Sequence, residues 1–301
     1  MLRHRHSQKS VTRSRDTSIH SANEMKHEAH GTQQPRHIDK IGEGASTAQR
    51  SDSLVQPINQ RFHKSHPYQA MILAAGRGDR MRPLTDAMPK PLLKAGDYAL
   101  IEYQIMALAR AGFYDVVINH AYLGEMIEQA LGDGSCYGVN IRYSPEKTVL
   151  ETAGGIANAM PLLTPSGDLP FLVVNADIYC AFDYAALLPA MVAMQGDPQK
   201  LVYLVLVDNP AHHADGDFAL EQGQVMLDGD PKLTFSGIGI YQPPLFNDVQ
   251  PGVAVKLSGL LKQAMQAGKV WGEHFQGTWI DIGTPERLAA LDRQLKLQSK
   301  T

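Results

Sequence analysis

The run Gln69-Ala70-Met71-Ile72-Leu73-Ala74-Ala75 constrains the fold most, because it is short, apolar without alternation and stopped by Gly76. A half-exposed strand alternates and a buried helix runs longer, so the pattern is that of a strand covered on both faces. Such a strand needs helices above and below it, and the following residues supply them. Leu100, Ile101, Ile105, Leu108 and Ala109 recur at helical spacing, closed by Gly112. Residues 115–119 read as a second buried strand, 125–131 as a helix, 139–143 as a third strand, 155–160 as the start of a helix and 170–175 as a fourth strand. This alternation predicts an α/β fold, a Rossmann-like, mostly parallel mixed sheet flanked by helices. After another buried run at 201–207, the spacing changes. Short strands at 217–220, 224–227 and 232–241, a helix at 257–267, two further strands and a terminal helix from Pro285 predict a small β-rich lobe inserted late. No internal repeat is present.

Composition divides the chain in two. Residues 1–66 are rich in Ser, Gln, His and Arg, hold eight of the twelve histidines and show no sustained period. They read as a disordered N-terminal extension, and residues 67–301 as the folded domain. The sharper reading is a metal-binding or basic interaction arm; a solvated tail, or a start assigned too far upstream, accounts for the same composition. The extension carries 11 Lys and Arg against 6 Asp and Glu, while the remainder carries 17 against 25. An acidic body argues against nucleic acid as a partner, since backbone binding needs a basic face. Small-molecule substrates are expected instead, with any phosphates met by a few placed cations. Cys136 and Cys180 have no paired spacing, so neither a disulfide framework nor a zinc site is indicated, and a cytoplasmic location is expected. No apolar run reaches the roughly 20 residues of a membrane span, and the first 30 residues hold no apolar core of a secretory signal.

The densest chemical signal is the string from Leu73 to Thr85, Leu-Ala-Ala-Gly-Arg-Gly-Asp-Arg-Met-Arg-Pro-Leu-Thr, followed by Met88-Pro89-Lys90-Pro91. Gly76 and Gly78 let the backbone approach a ligand and turn amide N–H groups toward an anion. A loop at the carboxyl end of the first parallel strand lies where such sheets bind ligands. Arg77, Arg80 and Arg82 add cations able to grip phosphate, and Lys90 is a point charge between two prolines. A turn with solvated arginines is the plain alternative. The spacing is neither that of a P-loop nor of a dinucleotide fingerprint. Asn175-Ala176-Asp177 puts a carboxylate just past a buried strand, where it could hold Mg²⁺ beside phosphate oxygens or merely shape a turn. In Trp279-Ile280-Asp281-Ile282-Gly283-Thr284-Pro285, Thr284 and Pro285 read as helix cap and first turn. An Asp between two isoleucines is costly unless paired or metal-bound.

These strings resemble the signature of the sugar nucleotidyltransferase family, G-x-G-x-R-M-x-P-L-T followed by P-K-P, and the similarity runs from about residue 69 to 295. The resemblance implies a nucleotidyltransferase fold whose β-rich lobe binds the sugar. It also implies that Ala74, Ala75, Gly76, Gly78, Lys90, Thr152, Gly154, Gly155 and Asn175 bind the nucleotide. Arg80 and Lys90 would act in catalysis, and Asp177 and Asp281 would hold Mg²⁺. In the comparable family segment many members carry Gly where this chain has Glu151. Asn209, Asp217 and Lys256 are the sugar-side candidates, though each could belong to a plain loop. The strings around Asn119, Glu151, residues 206–213 and residues 232–238 are most similar to the branch that couples UTP to N-acetylmuramic acid 1-phosphate in cell-wall recycling. Mannose-1-phosphate guanylyltransfer and glucose-1-phosphate thymidylyltransfer use the same phosphate machinery. A metal-dependent glycosyltransferase usually carries Asp-x-Asp as its metal motif, absent at Asn175-Ala176-Asp177, and a regulatory relative would typically lose the charged loop residues or a metal aspartate.

Overall fold

A computed structural model describes residues 66–298; the extension expected up to residue 66 lies outside the described residues, which begin at His66. In chain order the elements are β1 (Ala70–Leu73), β2 (Lys94–Ala95), β3 (Tyr98–Ala99), α1 (Leu100–Arg110), β4 (Asp115–His120), α2 (Gly124–Leu131), β5 (Asn140–Pro145), α3 (Glu151–Leu163), β6 (Phe171–Asn175) and β7 (Ile178–Cys180). Then follow α4 (Leu188–Met194), β8 (Val202–Val207), β9 (Phe218–Glu221), β10 (Gln224–Met226), β11 (Lys232–Tyr241), α5 (Leu257–Gln266), β12 (Val270–Phe275), β13 (Trp279–Asp281) and α6 (Pro285–Gln298).

Successive side chains of a strand point to opposite faces, and β1 uses both. Ala70 and Ile72 pack with Ile101, Ile105 and Leu108 of α1. Met71 packs on the other side with Ile156, Ala159 and Leu163 of α3 and Leu257 and Leu261 of α5. The result is a helix–sheet–helix sandwich. The main sheet runs β5-β4-β1-β6-β11-β8-β12-β10-β9. Its first four strands are parallel, with Met71 opposite Val117 on one side and Val173 on the other. β11 runs antiparallel between β6 and β8, while β12 is parallel to β8. The β-rich part forms the far edge of this same sheet, with β10 and β9 added antiparallel and β9 also pairing the start of β11. Because the chain leaves β1 toward β4 and returns to β6 on the other side, a crevice opens past the carboxyl end of β1.

Two smaller features furnish that crevice. β7 and β13 form an antiparallel pair in which Asp281 faces Ile178, and the Ile282 N–H donates to the Asp177 carbonyl at 2.8 Å. The backbones of Asp177 and Asp281, distant in sequence, are thereby neighbours. A separate hydrophobic cluster joins Met81 from the loop after β1 to Ile282 and to Leu288 and Leu291 of α6. One apolar anchor therefore fixes both the glycine–arginine loop and the turn that carries Asp281.

Candidate active site

The loop after β1 owes its path to Gly78, which has φ +70°, a left-handed backbone that side chains disfavour. A Cβ there would also come within 3.0 Å of Lys90 Cβ and 3.1 Å of Thr85 Cγ2. The Thr85 hydroxyl donates to the Gly78 carbonyl at 2.9 Å, pinning the loop over Lys90. Lys90 follows Pro89 into a short 3-10 turn and is 8% exposed. Its Nζ donates to Asp177 Oδ2 at 2.5 Å. Arg77 and Arg82 are exposed and paired with Asp79 at 3.5 Å, and Arg82 also meets Asp86 at 3.3 Å. Arg80 is exposed and forms no ion pair among the described residues.

Beneath the loop is a cleft of about 270 Å³ lined by Ala74, Ala75, Gly76, Lys90, Thr152, Asn175 and Asp177. A second cleft of about 490 Å³ shares Leu73, Glu151, Thr152 and Asn175 with the first and continues to Asp217, Lys256, Phe218, Phe235 and Tyr241. Asn175 stands at this junction because β11 bulges between Phe235 and Ile238. A Cβ on Gly237, inside that bulge, would lie 2.5 Å from Asn175 Nδ2.

Several expected site residues act from behind the clefts. Gly154 and Gly155, expected to bind the nucleotide, lie inside α3, which begins at Glu151 rather than at 155. They allow close approach rather than form a turn: a Cβ on Gly154 would meet the Val253 carbonyl at 2.2 Å, and one on Gly155 would meet Glu146 Oε1 at 2.6 Å. Gly78 lies against Lys90 as described, outside the lining of either cleft. Asn209 also lies outside both, because its amide is committed to structure. It donates to the carbonyls of Ala214 at 3.0 Å and Lys232 at 2.9 Å, and accepts from the Thr234 hydroxyl at 2.8 Å.

Sequence reasoning missed a buried pair at the back of the first cleft. Asn119 Oδ1 accepts from the Ala74 N–H at 2.9 Å, and Asn119 Nδ2 donates to Glu146 Oε1 at 2.7 Å. Glu146 Oε2 accepts from the Leu150 N–H at 2.9 Å. Burial pushes the Glu146 carboxyl above its ordinary pKa, while the Leu150 and Asn119 hydrogen bonds pull it back. The available signal was a polar residue ending the buried run of β4; nothing local marks Glu146. Glu151, which stands where many family members carry Gly, is part of the site lining. It lines both clefts at φ +58°, the left-handed conformation that a glycine adopts without strain. That is the physical reason glycine suits this position.

Asp281 Oδ1 accepts from Arg287 Nη1 and lies 3.0 Å from His212 Nε2. Asp177 and Asp281 keep a further oxygen each, Oδ1 and Oδ2, that accepts no hydrogen bond from the described residues. Among the described residues no group of three or more His, Cys, Asp or Glu gathers around one metal position.

The nucleotidyl transferase family model matches residues 69–216. The N-acetylmuramate alpha-1-phosphate uridylyltransferase of Neisseria meningitidis serogroup B is 49% identical over 225 residues, 73% of this chain and 95% of that protein. The mannose-1-phosphate guanylyltransferase catalytic subunit beta of Xenopus tropicalis is 29% identical over 225 residues, and the match spans 62% of its length. Among solved structures, a UDP-glucose pyrophosphorylase complexed with UDP-glucose superposes with a TM-score of 0.60 at 20% identity, over 77% of this chain and 99% of that one. That likeness extends to the fold.

Proposed function

We propose, for a chain that belongs to the nucleotidyl transferase family and is a sugar-1-phosphate nucleotidyltransferase, that its reaction couples UTP to N-acetylmuramic acid 1-phosphate. The products are UDP-N-acetylmuramic acid and pyrophosphate, and the role is recycling of cell-wall sugar in the cytoplasm. The nearly full-length match to the Neisseria uridylyltransferase supports the substrates. The observation that carries the chemistry is the meeting of Lys90, Asp177 and the turn bearing Asp281 beneath the loop after β1. No helix among the described residues is long and apolar enough to cross a membrane.

A sugar phosphate is already an anion at neutral pH, so the chain needs no side-chain nucleophile. One of its phosphate oxygens attacks the α-phosphorus of the triphosphate in line, and the bond to the β-phosphate bridging oxygen breaks. Catalysis is then positioning and neutralisation of charge. Ala74, Ala75 and Gly76 line the first cleft, where the triphosphate would lie, with Gly78 shaping the loop over Lys90; Lys90 offsets charge on the reacting phosphates, and Arg80, which forms no ion pair among the described residues, takes the leaving pyrophosphate. Asn175 and Thr152 stand where nucleotide and sugar meet. The donor set fits Mg²⁺: two carboxylates, each with a free oxygen, suit a hard cation that keeps water and phosphate as its other ligands. Held by Asp177 and Asp281, it would supply Lewis-acid neutralisation of the phosphate oxygens. Asp217 and Lys256 line the second cleft, where the sugar would lie.

The test is pyrophosphate release with Mg²⁺ and every pairing of UTP, GTP and dTTP with the 1-phosphates of N-acetylmuramic acid, mannose and glucose. UTP with N-acetylmuramic acid 1-phosphate is expected to give the highest kcat/KM; preference for another pair contradicts the substrate assignment.

A further inference from the structure

Two adjacent histidines on the loop between β8 and β9 reach carboxylates that serve different parts of the site. His212 Nε2 lies 3.0 Å from Asp281 Oδ1 and 2.7 Å from Arg287 Nη1. His213 Nε2 lies 3.0 Å from Asp217 Oδ1, while Asp217 Oδ2 accepts from the Phe235 N–H at 2.8 Å. Asp281 stands beside Asp177; Asp217 lines the second cleft.

The loop is built as a rigid piece. Asn209 spans it, donating to the Ala214 carbonyl inside the loop and to the Lys232 carbonyl on β11, and Thr234 donates in turn to Asn209. Gly216, at φ +63°, leaves the space this requires, since a Cβ there would lie 2.8 Å from Asn209 Oδ1 and 2.9 Å from the Lys232 carbonyl oxygen. At the loop's start, Asp208 Oδ1 lies 2.8 Å from His274 Nε2 of β12. Gly283 gives Arg287 its place: a Cβ on Gly283 would come 2.3 Å from Arg287 Nη2.

The geometry points to a yoke: His212, acting through Arg287, and His213 are positioning residues that hold Asp281 and Asp217, and the loop riveted by Asn209 couples the seat of the sugar to the seat of the metal. This rests on the reading of Asp281 and Asp217 given above. A ligand that fixes Asp217 also fixes His213, hence its neighbour His212 and the carboxylate that His212 touches. Coupling of this kind is reciprocal.

Two binding measurements on the full chain test it: Mn²⁺ affinity by EPR with a non-hydrolysable UTP analogue, and N-acetylmuramic acid 1-phosphate affinity by calorimetry. His212→Ala is expected to weaken Mn²⁺ roughly tenfold and leave the sugar phosphate near its wild-type affinity, with the converse in His213→Ala. His212→Asn and His213→Asn, which keep a hydrogen-bonding group, are expected to recover part of each loss. Asn209→Ala is expected to weaken both ligands together, and the milder Thr234→Val repeats the effect if Asn209→Ala does not fold. Loss of only one ligand in the Asn209 and Thr234 variants, or of neither, overturns the yoke, as does a wild-type protein that binds neither. Pyrophosphate release by the wild type is read separately: an active enzyme whose variants lack the paired loss contradicts only the yoke, and an inactive one that shows it contradicts only the function.

Discussion

Lys90 has its stem against Gly78 and its ammonium on Asp177, nearly excluded from water. In the proposed reaction a cation so placed would neutralise phosphate charge without reorganising at the moment of reaction, and losing one such preorganised donor costs about a hundredfold or more in rate. Lys90→Ala is expected to lower kcat by at least that factor while circular dichroism and thermal unfolding show a folded protein, because Asp177 remains hydrated at the cleft mouth. Glu146 makes a different demand. Both its oxygens accept, from Leu150 N–H and Asn119 Nδ2, so Glu146→Gln must turn an NH₂ toward a donor. Leaving one buried donor unsatisfied costs about 1–3 kcal/mol, and the expected outcome is a lowered urea midpoint together with a raised KM for the triphosphate. Lys90, Asp177 and Asp281 stand out in the sequence because each sits in a dense local string. Glu146 could not, since its meaning comes from Asn119 and Ala74, which only the packing of β4 beside β1 brings to it.

At the scale of elements, buried strands and their helices were legible because apolar runs and helical spacing are local. The start of α3 was not. The adjacent Gly154 and Gly155 hide it, since glycine is a poor helix former, yet they occupy the first turns of the helix because Val253 on one side and Glu146 with Asn119 on the other leave no room for a Cβ. Gly155→Ala therefore sets two effects against each other. Alanine favours the helix by about 1 kcal/mol, while a methyl 2.6 Å from Glu146 Oε1 and 2.8 Å from Asn119 Nδ2 overpacks the site at a cost of about 1–3 kcal/mol. The variant is expected to be less stable in urea denaturation despite its better helix former. The β-rich lobe was legible as short strands; its continuity with the main sheet depends on β12 returning beside β8, which no local pattern encodes.

Across the whole molecule, one hydrophobic cluster holds Met81, Ile282 and the face of α6 together, while the β7–β13 pair and the Ile282 N–H bond to the Asp177 carbonyl make the backbones of the two aspartates neighbours. Every part of that assembly lies within residues 66–298. A chain shortened to begin at His66 is accordingly expected to keep kcat and KM within about twofold, measured by pyrophosphate release; a loss of activity would give the first 65 residues a part in the site. The proposed metal chemistry depends on the convergence of the two aspartates. Its most direct test is a crystal structure with Mn²⁺ and a non-hydrolysable UTP analogue, using the anomalous signal to place the metal. The peak is expected between the carboxylates of Asp177 and Asp281, against the triphosphate beneath the loop after β1. A metal bound without either aspartate, or a triphosphate lying away from Lys90, would contradict it.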